Sequence, residues 1–362
     1  MASRNTHKAL KRGWTTGACA TAAAAAAFRA VLTGSFEPRV TIKLPNGQTP
    51  QFKLSTNELG KNWAKAGVIK DAGDDPDVTH GTEIITTITF SKTDTGIIFR
   101  AGEGIGTVTL PGLPLSVGEP AINPKPRAMI SAAINQIANE FGVPSNIIVT
   151  ISIPGGELLA KNTMNARLGV IGGLSVLGTT GIVIPYSCAS WINSIHRGID
   201  VAKAAKLSHI VAATGSNSEA SAKKTLNIPE QALIDMGDFV GGMLKYLRKH
   251  PVEHLTIVGG FGKLTKLAQG NLDLHSSRSQ LDMKALANIV QELGGTKTLI
   301  KAIEKANSGL EGFNLCKSEN LKIGDIIAKR AKEVVLASLS GHTNVSVLIF
   351  DRDGSLVGQS NE

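Results

Sequence analysis

From residue 182 onward, short apolar runs end in glycine-rich or polar turns and give way to helix-like stretches. The runs are Ile182–Pro185, His209–Thr214, Ala232–Met236 and Leu255–Gly259. Runs this short read as strands, and strands that alternate with helices build a mostly parallel sheet with crossover helices. Such a sheet offers its ligand site beyond the carboxyl ends of its strands. The second half of the chain is therefore expected to be an α/β domain, closed by a hairpin over Val345–Asp351 and Ser355–Gly358.

The first half has a different rhythm. Residues 14–32 are rich in alanine, with Thr15 or Thr16 able to cap a helix and Gly34 able to stop it. Arg39–Leu44 and Gln51–Leu54 flank a Pro45-Asn46-Gly47 turn and read as a hairpin. Alternating runs follow at Glu83–Phe90 and Gly96–Arg100, with a solvated acidic loop expected before them at 71–77. That loop lacks the terminal Glu of a calcium loop. Residues 102–126 are irregular but carry spaced Val and Leu, so they are expected to be ordered. A helix over Pro126–Phe141 and a strand over Ile147–Ile153 complete an α+β domain. With 362 residues the chain is long enough for two domains, divided as 1–165 and 166–362.

Composition narrows the functional classes. The net charge of +9 attracts anions, but the densest basic cluster, Arg4, Lys8, Lys11 and Arg12, is short and not interleaved with aromatics. This argues against nucleic acid as a partner. Cys19, Cys188 and Cys316 are far apart and form no CxxC pair, which fits a reducing cytoplasm. No stretch is expected to reach the ~18 apolar residues of a membrane span. The segment TTGACATAAAAAAF imitates a signal peptide, but alanine is weakly hydrophobic and Arg29 closes the run, so it reads as a packed helix.

Three strand-then-turn segments are candidate sites: 168–185, 209–224 and 255–270. In the second, Thr214, Gly215, Ser216 and Asn217 precede a helix; in the third, Gly259, Gly260, Gly262 and Lys263 do so. Amides at a helix N-terminus bind anions, and glycine lets a ligand come close. Neither segment is a GxGxxG fingerprint, and the third fails as a P-loop because Ile257 and Leu264 stand where Gly and Ser or Thr are needed. Their succession points to a nucleotide-like ligand. Asp235 at a strand end, and His275 with Arg278 after a helix stop, are the polar candidates. The histidines form no HExxH motif, so no protein-bound metal is expected.

Longer motifs occur in order: GWTTGACATAAAAAA (13–27), LPGLPLSVGEPAINPKPR (110–127), ISIPGGELLAKNTMNARLGVIGGLSVLGTTGIV (151–183), DMGDFVG (235–241) and GGFGKLTKLAQGNLDLHSSRSQLD (259–282). Together they make the chain resemble the cobalt-precorrin-5B C-methyltransferase family from about residue 10 to about 350. The resemblance implies transfer of a methyl from S-adenosyl-L-methionine (SAM) to carbon 1 of ring A of a cobalt-precorrin. It also implies an α+β N-terminal domain followed by an α/β Rossmann-like C-terminal domain. Ile184, Ser216 and Gly260 depart from the commoner pattern, which removes side-chain catalysis at 184 and 260 from consideration.

That chemistry sets requirements. The SAM methyl is already activated, so the protein must mainly orient the reactants and exclude water. Thr214, Gly215, Ser216, Asn217, Gly259, Gly260 and Gly262 are the expected SAM contacts. The macrocycle carries several carboxylate arms, for which Arg127, Lys161, Arg167, Lys263 and Arg278 are expected partners. Thr15, Thr16 and Gly17 are expected to offer a further anion site at the first helix. Glu157, Asp235 and His275 are the candidate proton acceptors. Any cobalt is expected to arrive on the corrinoid. A cytoplasmic enzyme, not associated with membrane or nucleic acid, is expected, with transient contacts to other cobalamin-pathway enzymes. The rival readings are a non-catalytic corrinoid carrier and a nucleic-acid-binding protein.

Overall fold

The computed structural model describes residues 10–339, 341 and 343–360. Arg4 and Lys8 of the basic cluster lie outside the described residues. The chain is a mixed α/β protein that divides into two compact units, Met1–Ser187 and Cys188–Glu362. Each has its own apolar core.

The N-terminal unit runs β1 (Gly13–Trp14), α1 (Thr16–Thr33), β2 (Arg39–Thr41), β3 (Gln51–Lys53), β4 (Thr56–Leu59), β5 (Trp63–Ile69), β6 (Glu83–Phe90), β7 (Ile97–Ala101), β8 (Thr107–Val108), α2 (Pro124–Phe141), β9 (Ile147–Ser152), α3 (Gly156–Ala160), β10 (Val170–Ile171) and β11 (Ile182–Val183). Five strands form a sheet in the order β4-β5-β6-β9-β7, antiparallel except for the β7–β9 pair. Thr15 caps α1 by accepting the Ala18 amide at 3.2 Å, and Gly34 ends it in the left-handed region. Every residue from Thr16 to Phe28 is buried. Alanine makes this possible, because α1 lies against β5, β6 and α2 at once and larger side chains would hold them apart. By length and composition α1 is apolar enough to cross a membrane, contrary to the expectation that no stretch comes near. It is 78% buried inside the protein, as a core helix is.

Two further expectations are corrected here. The second unit does not begin at residue 166, because β10 pairs with β8 and β11 pairs with β1, both antiparallel. Segment 168–185 is therefore part of the first unit and not a strand, turn and helix of a parallel sheet. Its glycines serve packing: Gly178 and Gly181 have positive φ, and a Cβ on Gly178 would stand 2.4 Å from Thr15 Cβ. The acidic loop, in turn, is tied down rather than solvated. Asp71 pairs with Lys11, Asp75 accepts the Tyr186 amide at 2.8 Å, and Asp77 pairs with the buried Lys70.

The C-terminal unit runs α4 (Cys188–Ala204), β12 (His209–Ala213), α5 (Ser216–Leu226), a 3-10 turn (Glu230–Ala232), β13 (Leu233–Asp235), α6 (Val240–Leu247), β14 (His254–Gly260), α7 (Phe261–Ala268), α8 (Met283–Glu292), α9 (Lys297–Lys305), α10 (Gly309–Ser318), α11 (Ile323–Ser338), β15 (Asn344–Phe350) and β16 (Leu356–Gln359). The sheet order is β13-β12-β14-β15-β16, parallel through β15 and closed by antiparallel β16. Ile210, Ala212, Ile257 and Val347 face one core, and Val211, Ala213, Val258 and Phe350 face another. Burial on both faces explains why these strands read as continuous apolar runs rather than alternating ones.

Candidate functional site

In the C-terminal unit the chain leaves β12 toward β13 on one side and returns to β14 on the other. The connections diverge between β12 and β14, which opens a crevice at the carboxyl ends of those two strands. A cavity of about 480 Å³ lies there. Its walls are Thr214–Ser218 after β12, Gly260–Lys263 after β14, and Phe350, Asp351 and Arg352 after β15. The two expected turns are thus brought together in one place.

The glycines of these turns do different things. A Cβ on Gly259 would stand 2.8 Å from Thr214 Oγ1, so Gly259 is required by strand packing. At Gly215, Gly260 and Gly262 an added Cβ would meet nothing within 4 Å, and none of the three has a left-handed φ. Neither packing nor backbone conformation demands glycine at these three positions. The open space above them is what the close approach of a guest to the backbone would need. The first turns of α5 and α7 supply amides to the same cavity, and their dipoles favour an anionic group there. Lys263 braces the arrangement: Nζ donates to Thr214 O at 2.6 Å and lies 3.0 Å from Asp238 Oδ1. It is already partnered, which weakens the expectation that it meets a substrate carboxylate.

Several wall residues escaped the sequence reading. Phe313 of α10 packs against Phe261 with ring centroids 4.9 Å apart and planes tilted by 42°, and both line the cavity. Asp351 was legible as part of the last hairpin, but its position at the end of a parallel strand was not. Its Oδ1 accepts the Asp353 and Ser355 amides at 3.1 and 2.8 Å, fixing the turn that presents Arg352.

Beside this cavity lies a second group of expected residues. Asp235 ends β13, where its Oδ1 accepts the Gly237 amide at 3.3 Å and its backbone oxygen accepts Trp191 Nε1–H. His275 is exposed, with Nδ1 accepting the Ser277 amide at 3.2 Å. The Arg278 guanidinium lies over the Phe239 ring and is paired with Asp273. Burial pushes the Asp273 carboxyl up, but the Arg278 hydrogen bond and the His275 amide outweigh it and hold the group below its ordinary value. Arg278 is thus committed to a neighbour within its own loop.

The expected residues of the N-terminal unit are dispersed. Thr15, Thr16 and Gly17 are buried. The Thr15 and Gly17 amides donate to Gly181 O and Leu177 O, and Lys70 Nζ donates to Thr16 Oγ1. The anion site expected on these three is therefore not formed; the protein's own groups occupy it. Arg127 Nε donates to Ile122 O at 2.7 Å, and its guanidinium pairs with Glu119 at 3.1 Å. That role is to fix the irregular segment before α2. Glu157 and Lys161 are exposed at the two ends of α3, and Arg167 is half-buried. Among the described residues no three His, Cys, Asp or Glu side chains converge as metal ligands would.

The sequence matches the CbiD family over residues 3–185 and the CbiD C-terminal domain over residues 273–361. It is 53% identical over 351 residues to a cobalt-precorrin-5B C(1)-methyltransferase of Brucella anthropi, covering 97% of this chain and 95% of that protein. A protein of the same name from Brucella canis is 52% identical over 360 residues, 99% of this chain and 98% of that one. One from Methylorubrum extorquens is 53% identical over 350 residues, 96% and 97%. Among solved structures, a cobalamin biosynthesis protein (cbiD) from Archaeoglobus fulgidus aligns at 29% identity and a TM-score of 0.41, over 74% of this chain and 83% of that one.

Proposed function

The chain belongs to the CbiD family, and on that premise we propose that it methylates carbon 1 of ring A of a cobalt-precorrin-5B-type corrinoid, with SAM as the donor. The product is of the cobalt-precorrin-6A type, and the step belongs to cobalamin biosynthesis. The observation that carries the donor assignment is the cavity where Gly215, Gly260 and Gly262 leave open space above the backbone. Its volume of about 480 Å³ suits one nucleoside-sized guest. The strand order supports a Rossmann-like C-terminal domain, because β13-β12-β14-β15 is the 2-1-3-4 sequence of doubly wound sheets.

SAM, when bound, supplies a methyl group activated by its sulfonium. The chain's own residues bind and orient. Amides of Gly215, Ser216 and Asn217, and of Phe261 and Gly262, are aimed at the guest's anionic group, while Phe261 and Phe313 exclude water from one wall. Asp235, His275 and Glu157 remain the proposed proton acceptors. Arg278, Lys161 and Arg167 remain proposed carboxylate contacts, of which Arg278 must first exchange its Asp273 partner. Cobalt belongs to the substrate in this reading, and the enzyme is expected in the cytoplasm, in passing contact with its pathway neighbours.

Calorimetric titration with SAM and S-adenosylhomocysteine tests the reading. Wild type is expected to bind both with micromolar affinity. Gly215→Asp and Gly262→Asp place a carboxylate in open space, so each should keep its melting temperature and lose binding. Binding that survives both substitutions moves the donor elsewhere. Silence in wild type, with corrinoid present as well as absent, leaves a non-catalytic carrier.

A further inference from the structure

The N-terminal unit holds a groove of about 1030 Å³ that no part of the mechanism above uses. Its floor is small and apolar. Ala25 and Ala26 of α1 meet Ala128, Met129, Ala132 and Ala133 of α2 along it. Its far wall is the β2–β3 hairpin and the chain leading from β2. The groove is about twice the volume of the donor cavity, at the top of the ~300–1,000 Å³ range of small-molecule sites, so it suits a much larger guest.

The charges on the groove are unbalanced. Arg29, Arg39, Lys43 and Lys125 line it against the single acid Glu37. Arg29 is already neutralised by Glu140, through two hydrogen bonds of 2.8 and 2.7 Å. Arg39 donates to neutral Gln51 at 3.4 Å and forms no ion pair among the described residues. Lys43 and Lys125 are exposed and have no carboxylate within ion-pair distance among the described residues. Lys125 also stands in the first turn of α2, where no acid offsets it and the helix dipole adds to its charge. An apolar floor of small side chains, lined also by cations without ion-pair partners, fits a broad apolar body that carries carboxylates around its edge. A nucleic acid would call for a longer basic track with aromatics between the cations, and none of the groove's lining residues is aromatic.

We propose that this groove is the docking site of the polycarboxylate corrinoid, its ring lying over the alanine floor and its acetate and propionate arms meeting Arg39, Lys43 and Lys125. The proposal rests on the corrinoid reading given above and adds the substrate's place within the N-terminal unit. A charge-based site of this kind also raises the rate of encounter and weakens with salt.

The test uses the full chain and two probes: cobyrinic acid, a cobalt corrin with free carboxylate arms, and its methyl ester. Binding is followed by the corrin's visible absorption. Wild type is expected to bind the acid well above the ester, and less tightly as salt rises. Lys43→Glu with Lys125→Glu should weaken acid binding by about tenfold or more per charge, leaving SAM affinity unchanged. Ala132→Trp, on the exposed part of the floor, should weaken both probes without altering the charge. Unchanged acid affinity in the double variant, at unchanged melting temperature, overturns the site. Equal binding of acid and ester overturns the carboxylate pairing. Loss of the functional reading looks different: wild type would then neither bind SAM nor methylate a cobalt-precorrin.

Discussion

Lys70 is the residue on which the N-terminal unit's polar interior turns. It is 2% exposed, and Nζ donates to Asp77 Oδ2 and Thr79 Oγ1 at 2.5 Å each and to Thr16 Oγ1 at 3.2 Å. Burial pushes the Asp77 carboxyl up, yet Lys70 and Thr79 more than offset this and hold it below its ordinary 3.8. A carboxyl depressed in the folded state contributes stability in full above its unfolded value, and loses it as pH falls through the folded one. Lys70→Met strands Asp77 in a half-buried site and should cost about 3 kcal/mol in denaturant unfolding at neutral pH. That deficit should shrink as pH falls through the wild-type Asp77 titration, and a deficit that stays the same from neutral to acid pH would contradict this account. Residue types were legible here, but commitments were not. Thr15 announces a helix cap through its identity and place, whereas the carbonyl of Leu177 that takes the Gly17 amide is 160 residues away. Arg127 and Lys263 were likewise readable as cations, while the carbonyls that engage them were not.

At the scale of elements, α1 shows why composition can specify packing. Thirteen successive residues, Thr16 to Phe28, are buried, and only Ala25 and Ala26 among them border the open groove. Ala24 is fully buried, so Ala24→Leu should overpack the contact and cost about 1–3 kcal/mol, measured as a lowered denaturation midpoint with an unchanged slope. A neutral result would mean that α1 is looser than its burial indicates. The sequence made α1, the β2–β3 hairpin, β6, β9, α2 and the parallel strands β12, β13 and β14 legible, because each carries a period or a punctuating Gly or Pro, whereas β15 read only as an arm of a hairpin. It missed β4 and β5. Thr56–Leu59 is mostly exposed and Trp63–Ile69 is built largely of alanine, lysine and glycine, so neither shows the apolar alternation of a half-buried strand. Segment 168–185 misled for the opposite reason. Glycines required for close antiparallel packing look the same in one dimension as glycines that cradle a ligand.

The whole molecule holds two main cores that share no residue: one drawn from Ala18 to Val176, the other from Ile195 to Ile349. Calorimetry should therefore resolve two unfolding transitions. SAM at one hundred times its dissociation constant should raise one of them by about 5–10 °C and leave the other in place. Lys70→Met should lower only the transition that SAM does not move. A single transition shifted by both would show that the cores unfold as one. That the chain mixes helices and sheets was legible because rhythm changes between its halves, but the groove of the N-terminal unit was not. Its walls come from residues 25–51, 125–137 and 179, and no local pattern joins them. Separate cores also bear on engineering and descent. Destabilising changes made while reshaping the alanine floor for another macrocycle would draw on one reserve of stability, leaving the glycine cradle's reserve intact, so either recognition surface could be evolved in the laboratory one half at a time.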